Sequence, residues 1–140
     1  MIYQRIVAAL KRDSNDEGVV QHAVSLARLT GAQVTLMHVV HAHSRDEAVY
    51  MDERASEYLQ GWVERVSGQG VSAEQRVVQG EPAEAINRLA ESLGADLIIM
   101  ATHGHSELRH VFAGSVTEDV LRNGDIPVLL VRTPTERRPG

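Results

Sequence analysis

The sequence contains no cysteine, so neither a disulfide framework nor a thiolate metal site is open to it. Aromatic residues are scarce, with one Trp, one Phe and three Tyr among 140 residues. Basic charge is scarce too: 14 Lys and Arg stand against 19 Asp and Glu, a formal net charge of −5. An acidic chain with few aromatics and no basic stripe lacks the footprint of a nucleic-acid binder. Long apolar runs are also missing. No stretch approaches the roughly 20 residues of a membrane span. The opening MIYQRIVAALKRDSND has one short apolar run followed at once by charges, unlike a signal peptide. Together these make a cytoplasmic location, with no nucleic-acid partner and no membrane span, the expectation. Enzyme signatures are absent as well: there is no Gly-x-Ser-x-Gly elbow, no His-Glu-x-x-His and no Walker lysine motif.

What is present is an alternation of short β-branched runs with helical periods. Ile2 to Leu10 predicts a strand, and Asn15 to Thr30 a helix opened by a Ser14/Glu17 capping box and stopped at Gly31. Val34 to Val40 is nearly continuous in apolar residues, as expected of a strand covered on both faces. After the polar stretch His41 to Glu47, one apolar face runs from Met51 to Val66 at helical spacing. A third strand at Val71 to Gln79 follows, then Pro82 at a first helical position, with an apolar stripe that ends at Gly94. Asp96 to Met100 and Pro127 to Val131 are further strands, separated by a loop and a short helix at Ser115 to Asn123. The pattern predicts an α/β fold: a five-stranded parallel sheet, doubly wound and Rossmann-like, with helices on both faces. Ligands of such folds sit beyond the carboxyl ends of the strands, where strand order reverses. Residues 1–132 are expected to form one domain, and 133–140 a polar, frayed tail.

One stretch carries chemistry. Ala101-Thr102-His103-Gly104-His105-Ser106 follows the fourth strand, and Gly114-Ser115-Val116-Thr117-Glu118 opens the last helix. Gly104 permits close approach of a ligand to the backbone. A helix N-terminus offers free N–H groups and partial positive charge, a seat for phosphate. Ser115 with Glu118 makes a second capping box, so the same residues also fit a plain turn and a capped helix without any ligand.

The segment MATHGHSELRHVFAGSVTEDVLRNGDIPVLLVR resembles the C-terminal signature of the universal stress protein family: Gly, two residues, Gly, nine residues, Gly, then Ser or Thr. Gly104 and Gly114 have that nine-residue separation, and Ser115 follows. RIVAAL, AVSLARLTGAQVTLMHVV and GEPAEAI are similar to the family as well, so the likeness covers nearly the whole chain. It implies a small regulatory module for stress response that binds ATP or another adenine nucleotide, with or without Mg. Met100 and Ala101 would border the adenosine, with Val40 near the base. Thr102, His103, Gly104, His105, Gly114, Ser115 and Val116 would surround the phosphates. The resemblance also implies a homodimer through Ile126 to Arg132 and a regulatory protein partner of unknown identity. At most, weak ATP hydrolysis or autophosphorylation is implied, and no catalytic residue is evident.

Two positions depart from the family pattern. Ala101 stands where the first motif glycine is expected, and Lys11 where the resemblance implies an aspartate that contacts adenosine. Lysine cannot accept a hydrogen bond from ribose or adenine. Asp13 is a candidate substitute; Lys11 would meet phosphate as a point charge or stand in solvent. These departures leave a dimerising protein that binds no nucleotide as an alternative. A second alternative is a metal site built from the His-x-His pairs His41/His43 and His103/His105, both expected beyond strand ends, with zinc, nickel or copper as the suited ions.

Overall fold

The computed structural model describes residues 2–102 and 115–132. In chain order the elements are β1 (Arg5–Ala9), α1 (Asp16–Thr30), β2 (Gln33–Val40), α2 (Arg45–Ser67), β3 (Ala73–Gln79), α3 (Pro82–Leu93), β4 (Leu97–Ala101), α4 (Ser115–Asn123) and β5 (Val128–Val131). The strands form one sheet in the order β3-β2-β1-β4-β5 with every pairing parallel. This is the expected doubly wound α/β architecture.

The apolar runs of the strands follow from burial on both faces. Ile6, Ala8, Leu36 and Ile99 pack with residues of α1 and α2 such as Val19, Ala23 and Leu59. Their strand neighbours Val7, Met37, Ile98 and Met100 pack with Ile86 and Ala90 of α3 and Val120 of α4. Alternation along each strand thus divides the core into two layers. The glycine stops act as expected: Gly31 and Gly94 hold φ of 79° and 67° at the ends of α1 and α3.

Three departures from the expected boundaries and caps have a local reason; β3, β4 and β5 shift by only one or two residues. β1 begins at Arg5 rather than Ile2, because Tyr3 sits at φ 62° and breaks the extension. Gln4 and Arg5 instead donate their N–H groups to the Asp96 carboxylate at 2.8 and 3.2 Å, which ties the chain start to the head of β4. The Ser14/Glu17 box does not form: Asn15 is the N-cap of α1 and makes no side-chain cap bond. A side-chain cap forms instead at α2, where Ser44 Oγ accepts the Glu47 N–H at 3.1 Å and the Glu47 carboxylate accepts from the His43 N–H, one residue ahead of the N-cap. α2 therefore starts six residues ahead of the apolar face, with Val49 and Tyr50 of its first turns exposed.

The topology positions the site. From β1 the chain steps outward to β2 and β3, then α3 returns it to β4 on the other side of β1. Strand order reverses there, and the connections leaving β1 and β4 part from one another.

Candidate functional site

A cleft of about 340 Å³ opens at this reversal, on the α3/α4 side of the sheet. Its floor is the carboxyl end of three strands: Ala9 of β1 with Leu10 and Lys11 after it, Met37 to Val39 of β2, and Met100 of β4. Pro82 and Ile86 of α3 form one wall, and Val116 and Thr117 at the head of α4 the other. Apolar surface dominates, which suits a flat heterocycle, and the volume falls at the low end of the roughly 300–1,000 Å³ typical of small-molecule sites. No carboxylate is among these residues, and Lys11 is the fixed cation.

β1 and β2 separate at the cleft. Their register ends at Ala9 against Met37, followed by one more bond from the Leu10 N–H to the Met37 carbonyl at 2.8 Å. The Leu10 carbonyl then meets a side chain, His38 Nδ1 at 2.9 Å. A carbonyl oxygen only accepts, so Nδ1 carries the proton of this bond.

The turn after β1 is organised by Asp16, which is only 2% exposed. Its carboxylate accepts the Lys11 and Arg12 N–H groups, both at 2.8 Å, and the Tyr58 hydroxyl from α2 at 2.6 Å. Arg12 holds φ 65°, which lets the two consecutive N–H groups converge. Its guanidinium lies 5.6 Å from the centre of the Tyr58 ring. Burial, then the hydrogen bond to Asp16, pushes the Tyr58 phenol up to about 12.

The sequence matches the model of the universal stress protein family over residues 2–132. The chain belongs to that family. A solved structure of a Methanocaldococcus jannaschii protein superposes with a TM-score of 0.84 over the whole of both chains, at 26% identity. The universal stress protein of Archaeoglobus fulgidus in complex with dAMP matches at TM-score 0.72 and 25% identity, over 94% of this chain and all of that one. A universal stress protein in complex with cAMP matches at TM-score 0.74 and 25% identity, over 95% of this chain and 99% of that one.

Of the residues expected at the site of this universal stress protein, the cleft brings together Lys11, Met100 and Val116. Val40 is buried one position past the β2 residues that line the cleft, and its carbonyl accepts the Gly80 N–H at 3.0 Å. Asp13 is exposed, and its carboxylate accepts the Asn15 N–H at 2.9 Å within the same turn. Thr102 donates its N–H to the Val131 carbonyl at 3.0 Å. Ala101 ends β4 opposite Val131, packed in the α1/α2 layer and so on the other face from Met100. Its φ is not positive, so this backbone does not require glycine. His103, Gly104, His105 and Gly114, and the side chain of Ser115, lie outside the described residues. So does half of the alternative metal site; the rings of His41 and His43 lie with centres 5.7 Å apart and planes tilted by 33°, and no cluster of three or more metal-ligating side chains occurs among the described residues. No described helix is long and apolar enough to cross a membrane.

Sequence reasoning missed the other eight lining residues: the apolar Ala9, Leu10, Met37 and Val39 of the floor, and His38, Pro82, Ile86 and Thr117. For His38 and Thr117 a signal existed, since each is a polar residue at a strand's carboxyl end or a helix head. Pro82 and Ile86 carried none, because α3 reaches the cleft only through its packing.

Proposed function

We propose that this universal stress protein is a regulatory module that binds an adenine nucleotide in the cleft beyond β1, β2 and β4. The observation that carries this reading is the cleft itself: an apolar slot at the strand-order reversal, bordered by Lys11 and the head of α4, with no carboxylate among its described lining residues. Met37, Val39 and Met100 provide the apolar surface for the base. The Lys11 ammonium and the start of α4 favour an anion. The binding of dAMP and cAMP by relatives of the same fold supports the ligand class. In this reading Thr102 to His105 and Gly114 to Val116 enclose the phosphates of ATP or a relative, with Mg as an optional companion. Asp13 is left to its turn.

A homodimer through Ile126 to Arg132 completes the proposal. β3 and β5 are the two edges of the sheet. β3 is guarded by Glu74 and Arg76, paired at 3.2 Å, whereas β5 offers Val-Leu-Leu-Val with Leu130 36% exposed. An uncharged apolar edge is the one that a second copy would cover.

Calorimetric titration of nucleotide-stripped protein with ATP, AMP and cAMP, with and without magnesium, tests the ligand. Micromolar binding is expected, weakened at least about tenfold by Val39→Trp, which fills the slot. Absence of heat and of a thermal shift for every nucleotide would replace this reading with the dimer that binds none.

A further inference from the structure

Two consecutive backbone N–H groups converging on one anion form a nest, a concavity that in many proteins receives a ligand's phosphate. Here the nest of Lys11 and Arg12 is filled by the chain's own Asp16. The Lys11 N–H is therefore unavailable to a ligand, and the charge this residue can offer the cleft is that of its side chain. The direction of that side chain depends on the turn, and the turn depends on a carboxylate whose third donor is the Tyr58 hydroxyl, 42 residues further on in α2. Arg12, left-handed and laid toward the Tyr58 ring, closes the outer side of the turn. With its phenol pushed up to about 12, Tyr58 remains a donor at neutral pH.

Resting on the adenine-nucleotide reading, we propose that Asp16 and Tyr58 are positioning residues: they clamp the Lys11–Arg12 turn and so aim the Lys11 ammonium at the phosphate of the bound nucleotide. The clamp joins α2 to charge recognition in the cleft, so a partner that displaces α2 changes affinity for phosphate without touching the slot for the base. Asp16 also favours the positive end of α1, as any first-turn carboxylate does. That purely structural role predicts a loss of stability but no change in preference among ligands.

Tyr58→Phe separates the two roles, because it removes one hydrogen bond and almost no volume. It is expected to weaken ATP about threefold to tenfold while adenosine stays within about twofold of wild type. In a Lys11→Ala background the same change is expected to have no further effect on ATP. Equal losses for ATP and adenosine, or a full loss in the Lys11→Ala background, would overturn the proposal. Amide exchange of Lys11 and Arg12, measured without ligand, is expected to accelerate in Tyr58→Phe and in Asp16→Asn; rates equal to wild type in both would also overturn it. A wild-type titration with no ATP heat is a different result: it removes the nucleotide reading and the ligand role together, while the exchange rates still report whether the clamp exists.

Discussion

At the head of α1 one carboxylate satisfies two backbone amides and a phenol, and this decides what the residues beside it can offer a ligand. Lys11 is left with its ammonium. Lys11→Ala is expected to weaken ATP about tenfold and adenosine hardly at all, measured by paired titrations; equal losses would show that Lys11 packs rather than pairs. Tyr58 makes its own pH prediction. Its folded-state pKa is raised from 10.0 to about 12, so its contribution to stability is complete below pH 10 and is lost as pH rises through about 12. Denaturation midpoints followed across that window should fall more steeply in wild type than in Tyr58→Phe, and parallel curves would contradict the shift.

Among the elements, the contact of α3 with α4 sets a close steric constraint on sequence. The buried Asn87 of α3 donates from Nδ2 to the Val120 carbonyl at 3.3 Å, and Gly124 donates its own N–H to that same carbonyl at 3.1 Å. A Cβ on Gly124 would collide with the side-chain amide of Asn87. Gly124→Ala must therefore push Asn87 off its partner, and a loss of about 1–3 kcal/mol is expected in chemical denaturation. Since α4 also forms one wall of the cleft, nucleotide affinity should fall with it. An unchanged midpoint would mean that α4 can shift freely on α3.

For the whole molecule, the β5 edge is where the proposed dimer is tested. The Ile98 and Thr102 N–H groups bond to the Pro127 and Val131 carbonyls, so alternation turns the backbone groups of Val128 and Leu130 outward. Leu130→Pro removes an outward donor and leaves the β4 ladder alone. In sedimentation, wild type is expected to run as a dimer and the variant as a monomer with little change in unfolding temperature. A dimer that survives the substitution would place the interface elsewhere.

The alternation of strands and helices, the two-sided burial of the sheet and the glycine stops were all legible in the sequence, because periodicity and φ requirements are local properties that residue types encode directly. Lys11, Met100 and Val116 were named through the resemblance to the family, and the cleft brings the three together. Capping was legible only as a pattern: Ser14 and Glu17 had the right spacing, yet the side-chain cap formed at Ser44, because Asp16 had drawn the first turn of α1 into a different bond. Nor could spacing show that Ala101 and Met100 face opposite layers, or that Val39 rather than Val40 borders the cleft, since both depend on the register of β2 and β4 in the assembled sheet. The clamp from Tyr58 to Asp16 joins residues 42 positions apart. Contacts of that range arise from how α2 packs across the sheet, and only the tertiary structure decides them.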